Sequence, residues 1–130
     1  MSIYQNFCRE MKDDNGNLIK FELDYPENFN FGYDVVDAIA KATPQKRALV
    51  WCNGENEEHT FTFSDIMRYS NRMANVFVKN GIRKGDKVML VLKRHYEYWF
   101  AAVALHKIGA VMVPATHMLT IKDYVYRLHA

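Results

Sequence analysis

The sequence has few cysteines, no long apolar run and no glycine-rich loop, and each shortage removes a class of protein. Its two cysteines in 130 residues, Cys8 and Cys52, sit in no CxxC pattern, so neither a disulfide scaffold nor a zinc ribbon is encoded and both read as reduced thiols. The longest apolar run, Tyr98 to Leu105, has eight residues, against the roughly 20 needed to cross a bilayer. No membrane span is expected. The N-terminus, Met1-Ser2-Ile3-Tyr4-Gln5-Asn6, is soon followed by acidic residues and has no basic stretch leading into an apolar one. No signal peptide is read there, and the cytoplasm is the expected compartment. None of the six glycines belongs to a GxGxxG or Gly-Lys-Ser/Thr loop, so the backbone cradle that such loops offer to phosphate is missing. The five histidines are never closer than 11 positions, which excludes a helical i, i+4 metal pair, and no metal ligand is assigned.

What is present is an ordinary soluble composition, with 49% apolar, 25% charged and 14% aromatic residues. A chain of this size buries roughly two thirds of its unfolded surface and can build one core. Net charge is +2, but residues 1–30 carry three basic and six acidic side chains, leaving the excess of positive charge to the remainder. The basic groups fall in pairs, Lys46-Arg47, Arg83-Lys84 and Lys93-Arg94, each beside an expected strand. Such pairs read as solvated turn charges, and a nucleic-acid surface, which concentrates cations along one face with interleaved aromatics, is not expected.

Residues 1–33 read as a lead segment that wraps a body, with a turn at Asp13-Asp14-Asn15-Gly16-Asn17. A short amphipathic helix is predicted after Asp34 as N-cap, ending before Pro44. Ala48–Cys52 and His59–Phe63 read as two strands of a hairpin turned at Asn53-Gly54. Ser64 is the expected cap of a helix whose Ile66, Met67, Met73, Ala74, Phe77 and Val78 form a core-facing stripe. Lys87–Leu92, apolar on both faces, then a helix over Glu97–Ile108 and a strand over Ala110–Pro114 make a strand–helix–strand crossover, with Lys87–Leu92 central in its sheet. Thr120 opens a last helix over Ile121–Leu128. His95 and His117 follow the two crossover strands, where open α/β sheets bind ligands. No serine, cysteine or carboxylate partner is placed beside either by sequence, so no catalytic residue is assigned.

Several ordered segments resemble one family. Tyr25–Asp37, Thr62-Phe63-Ser64-Asp65-Ile66, Ser70–Asn75, Gly81–Val88, Tyr98-Trp99 and Lys107–Val111 follow the order found in the acetyl-CoA synthetase-like and medium-chain acyl-CoA synthetases of the adenylate-forming superfamily. Pro114-Ala115-Thr116-His117-Met118-Leu119 before Asp123–Leu128 is the most specific piece. The resemblance implies an α/β fold, a partial three-layer sheet with flanking helices like the start of the large N-terminal domain of those enzymes, with residues 34–130 as an incomplete part of it. It implies a parent enzyme that joins a small carboxylic acid to ATP, with Mg²⁺ assisting, and passes the acyl group to coenzyme A. It places His117 and Met118 at the edge of the acyl and coenzyme A region, Met118 standing where medium-chain members carry a glutamine and where other relatives have a His-Met pair. The family's phosphate loop and late catalytic lysine are not among these residues. The chain is therefore expected to correspond to about the first quarter of a synthetase, to bind none of these ligands alone, to be inactive and to self-associate through exposed apolar surface. The alternative is a stand-alone, non-catalytic α/β interaction or ligand-binding module.

Overall fold

The computed structural model describes residues 3–129. A 3₁₀ turn (Ile3–Asn6) leads into an antiparallel hairpin, β1 (Cys8–Lys12) and β2 (Leu18–Leu23). The turn at its tip forms because Asp13 Oδ1 accepts from the Asn15 and Asn17 amides at 3.0 and 2.8 Å, while Gly16 takes the positive φ that the reversal needs. The end of the lead segment lies on the body, where Asn30 donates to the His106 and Lys107 carbonyls, but the hairpin does not: every residue of β2 is exposed, the apolar Ile19 and Leu23 included.

The next helical segment starts earlier than the sequence predicts, as a wide π-type turn (Phe31–Asp37) that tightens into α1 (Ala38–Ala42). Asn30, not Asp34, is the N-cap. Its Oδ1 accepts from the Gly32 and Tyr33 amides, and the Asp34 carboxylate reaches back to the Asn30 amide at 2.6 Å. After Pro44, β3 (Arg47–Cys52) pairs antiparallel with β4 (Glu58–Thr62). Their connection is a five-residue loop rather than a tight Asn-Gly turn, because Asn53 Oδ1 draws in the amides of both Glu55 and Glu57.

The predicted amphipathic helix is α2 (Phe63–Lys79), and its cap is Thr62, not Ser64. Thr62 Oγ1 accepts from the Asp65 amide while the Asp65 carboxylate accepts from the Thr62 amide at 3.0 Å, a reciprocal box that satisfies two otherwise orphaned donors. Its Met73 and Phe77 pack into the core, as the spacing predicts.

β5 (Lys87–Leu90), α3 (Glu97–Ile108) and β6 (Val111–Pro114) form the expected crossover, with the two strands parallel in the register Lys87↔Val111 to Leu90↔Pro114. β5 is shorter than predicted and is not central: among the described residues the strands form three separate two-stranded sheets, and β5 pairs with β6 alone. The final helix, α4 (Ile121–His129), opens at Thr120, whose hydroxyl and amide both donate to Asp123, and buries none of its residues. The mixed α/β class stands.

α3 is the axis of the body, apolar around most of its circumference, and Phe100, Ala101, Val103, Ala104 and Leu105 are all buried. One face meets Val36 and Ile66; the other meets Leu90, with Met73, Phe77 and Met112 packed around it. Each large side chain buried this way contributes roughly 1.5–3 kcal/mol. The last turn of the helix carries a charge inward. Lys107, fully buried, donates from Nζ to Asp37 Oδ1 and Asn71 Oδ1, both at 2.7 Å, under the Tyr33 ring. Only glycine fits at position 32, since a Cβ there would lie 2.6 Å from Lys107 Cγ.

Removing one member of a buried ion pair leaves the other charge stranded, whereas removing both does not. Lys107→Met is therefore expected to destabilise the chain by about 3–5 kcal/mol in urea unfolding, and adding Asp37→Leu is expected to recover much of that loss.

The capping box has a pH signature. Hydrogen bonds from the Thr62 amide and hydroxyl, with Arg68 nearby, hold the Asp65 carboxyl below the ordinary aspartate range. A carboxyl depressed in the fold contributes stability that is complete above its unfolded value, near 4, and is lost as pH falls through the lower folded value. Asp65→Asn is expected to cost about 1 kcal/mol at neutral pH and to flatten that acid limb of the unfolding curve.

Candidate functional site

Parallel strands bring their carboxyl ends to the same edge of a sheet, and the loops that leave those ends border the natural ligand crevice of an α/β fold. Here β5 and β6 end together, tied by the Ala115 amide donating to the Leu90 carbonyl at 3.0 Å. From β5 the chain crosses to α3 through residues 91–96, with Lys93 forced to a positive φ of 44° and the His95 amide closing onto the Leu92 carbonyl. The β3–β4 hairpin lies alongside. Trp51 Nε1 donates to the Arg94 carbonyl at 2.5 Å, pinning the strained loop to the hairpin.

Between these pieces lies a cleft of about 540 Å³. Its loop side presents Lys93, Arg94, His95 and Glu97, and its hairpin side presents Trp51, Asn53, Glu57 and His59. His117, arriving from the end of β6, completes the rim. The two histidines singled out from sequence, His95 and His117, are thus brought to one cleft although 22 positions apart. Met118 is not: it is 76% exposed and turned out of the cleft, its amide donating to Thr116 Oγ1.

Chemically the cleft offers two fixed cations and three histidines against two carboxylates, over an aromatic wall in which Trp51 meets Tyr96 edge-on with ring centroids 5.3 Å apart. That combination suits an anionic ligand with a flat ring, which Arg and Lys hold by charge and Trp51 by stacking. It provides no nucleophile held by a base. Sequence reasoning missed Trp51 and Tyr96 and took Lys93-Arg94 for solvated turn charges. The signal available was position: Lys93 and Arg94 directly precede His95 at the same strand end. Among the described residues no three His, Cys, Asp or Glu side chains converge on a point where a metal ion would sit.

A crossover of parallel strands with a basic, aromatic cleft at their carboxyl ends is the arrangement of a ligand-binding α/β fold. Residues 36–130 match the AMP-binding enzyme family, and the chain belongs to that family. It is 37% identical over 124 residues to the mitochondrial acyl-coenzyme A synthetase ACSM4 of Rattus norvegicus, covering 91% of this chain and 21% of the relative. It is likewise 37% identical over 134 residues to human mitochondrial ACSM3, covering 97% of this chain and 22% of that protein. The chain thus spans about a fifth of the length of the curated relatives it matches. Among solved structures, a fatty acyl CoA synthetase of Mycobacterium tuberculosis superposes with a TM-score of 0.67 at 27% identity over 76% of this chain and 19% of its own. The N-terminal subdomain of Klebsiella oxytoca NpsA superposes with a TM-score of 0.66 at 29% identity over 75% of this chain and 24% of that subdomain.

Proposed function

We propose that this chain is the opening structural segment of an AMP-forming acyl-CoA synthetase and contributes the β5–β6 cleft to the substrate region. The observation that carries the reading is an identity of 37% sustained over 91% of the chain to an acyl-coenzyme A synthetase, with the strand-end cleft inside the matched stretch. In such an enzyme a carboxylate oxygen attacks the α-phosphorus of ATP, pyrophosphate leaves, and the thiol of coenzyme A then displaces AMP from the acyl-adenylate. Adenylation matters because it replaces oxide, a poor leaving group, by AMP, a good one. The parts present in this chain position and neutralise: Lys93 and Arg94 supply charge at the rim, Trp51 a ring face, and His117 a neutral or cationic edge, with Met118 in the solvent-facing turn beside it. Among the described residues no three His, Cys, Asp or Glu side chains gather at one point, and no step of the chemistry is assigned to Mg²⁺ here. Alone the chain is inactive.

The reading is tested with a chimera in which these residues replace the matched segment of rat ACSM4. Retention of acyl-CoA formation supports it, and loss of activity in a chimera that folds, by circular dichroism and melting, counts against it. The 130-residue chain itself is expected to give no ATP–pyrophosphate exchange with any of a panel of acids; appreciable exchange would show that it carries its own catalytic apparatus.

Self-association belongs to the same proposal. α4 exposes Ile121, Val125 and Leu128 on one side, the first at 83%, and β2 exposes Leu18 and Ile19. Unshielded patches of this kind draw copies together. Light scattering is expected to report species larger than a monomer, and a monodisperse monomer without detergent would refute this. No helix among the described residues is long and apolar enough to cross a membrane. A cytoplasmic location completes the proposal, with the mitochondrial designation of the relatives as the alternative that cell fractionation would reveal.

A further inference from the structure

Behind the cleft, on the α2 side of Tyr96, lies a second cavity of about 570 Å³. Its walls are aromatic: Phe61 from β4, Tyr69 from α2, and Tyr96 and Phe100 from the start of α3. The rings brace one another, with Tyr69 stacked on Phe100 at 4.8 Å between centroids and Phe61 tilted on Tyr96 at 5.0 Å. Its ionisable lining is the exposed His59 and Arg72 and the partly buried Glu97, which it shares with the cleft. Glu97 lines it, and Glu97 Oε2 is buried with no hydrogen-bond partner.

A buried carboxylate oxygen without a donor is costly, and Glu97 Oε2 is the single such side-chain atom among the described residues. Aromatic faces carry negative electrostatic potential and attract cations, most strongly where water is excluded. A carboxylate set among several rings is therefore complementary to an organic cation, whose charge meets Glu97 while its methyl or methylene groups meet the ring faces. An anion is excluded by the same carboxylate, and a neutral apolar ligand would leave Glu97 Oε2 unsatisfied. The exposed His59 of β4 also lines the chamber, and its fixed positive charge is Arg72, which is exposed on α2. There solvent screens its repulsion without cancelling it.

We propose that this chamber is a binding site for a small organic ammonium ion, with Glu97 as its counter-ion and Tyr69, Tyr96 and Phe61 as its ring walls. The chamber shares His59, Tyr96 and Glu97 with the cleft next to it but lacks that cleft's Lys93 and Arg94, and the proposal does not depend on the acyl-CoA synthetase reading.

The test uses the 130-residue chain with tetramethylammonium as the probe and tert-butyl alcohol as a neutral probe of similar shape, followed by NMR shifts of the Met73 methyl group that lines the cavity. Saturable shifts with tetramethylammonium and none with the alcohol are expected. Glu97→Gln is expected to weaken binding about tenfold, with its melting curve showing that the fold persists. Arg72→Gln, on the exposed face, is expected to tighten it by removing a like charge. Equal response to both probes, no saturable shift at millimolar tetramethylammonium, or binding that survives Glu97→Gln unchanged would each overturn the proposal.

Discussion

The ammonium of Lys107 is the constraint around which the body is assembled. An ammonium taken out of water needs protein acceptors in place of the water its N–H groups lose, and Asp37 and Asn71 supply two of them from different segments. The pair thereby fixes the approach of the π-type turn and of α2 to the same point on α3. Neighbouring choices follow from it. Gly32 is bare because the lysine stem fills the space its Cβ would take. Asn30 serves two helices at once, accepting from the amides that open one and donating from Nδ2 to the His106 and Lys107 carbonyls that end the other. Such a network contributes less to net stability than its hydrogen bonds suggest, since desolvation offsets them. What it does supply is a single geometry, because any slippage strands a charge.

The ordering imposed at one end of α3 reaches the site at the other. α3 is short, apolar on nearly all sides and packed against α2 along its length, so its first turn is held as firmly as its last. That first turn carries Glu97, with Tyr96 immediately before it, and these two residues border both the basic cleft and the aromatic chamber. The loop preceding it is held differently. Lys93 sits in a backbone region that side chains rarely adopt, and the Trp51 hydrogen bond to Arg94 compensates locally. Rigid support under a strained, tethered loop is the arrangement expected where charged side chains must be aimed rather than merely displayed.

Legibility tracked how local each determinant was. The stripe of α2 and the parallel crossover of β5, α3 and β6 were readable, because periodicity and glycine stops are properties of contiguous residues: Gly109 takes the left-handed conformation at the end of α3 as its position suggests. Caps were displaced, by two residues at α2 and by four at the π-type turn, where two capping side chains competed. Ser64 and Thr62 both precede the same stripe, and only the backbone direction decides that Thr62 and Asp65 form the box. Asp34 has the right chemistry for a cap and is used, but from inside the turn. The hairpin at the N-terminus was missed because β1 and β2 have no buried face to impose alternation; both strands are almost wholly exposed. In the site, His95 and His117 were legible from strand ends alone. Trp51 was not, since its role arises from a contact with residue 94 across 43 positions. Lys107 was equally hidden, as a lysine in a helix end is usually a solvated complement to the helix dipole.

The division of labour within the chain follows from what its two parallel strands can and cannot supply. A strand-end crevice gathers loops, and loops can bring charge and rings, which suffices to hold a ligand. Bond-making asks for more: a nucleophile in reach of a base, or a nest of backbone amides around a phosphate. The glycines that could form such a nest are spent elsewhere, Gly81 and Gly85 in the turn between α2 and β5, and Gly109 at the end of α3. The histidines at the cleft have open sides rather than carboxylate orienters among their hydrogen bonds. A pair of parallel strands with helices against it is also a sheet that favours cover on both faces, and α4, amphipathic yet unburied, carries apolar side chains with nothing to cover. A crevice at the strand ends and apolar faces without cover are two consequences of one topology among the described residues: a crossover supplies the crevice and the scaffold beneath it, and leaves α4 with no layer to pack against.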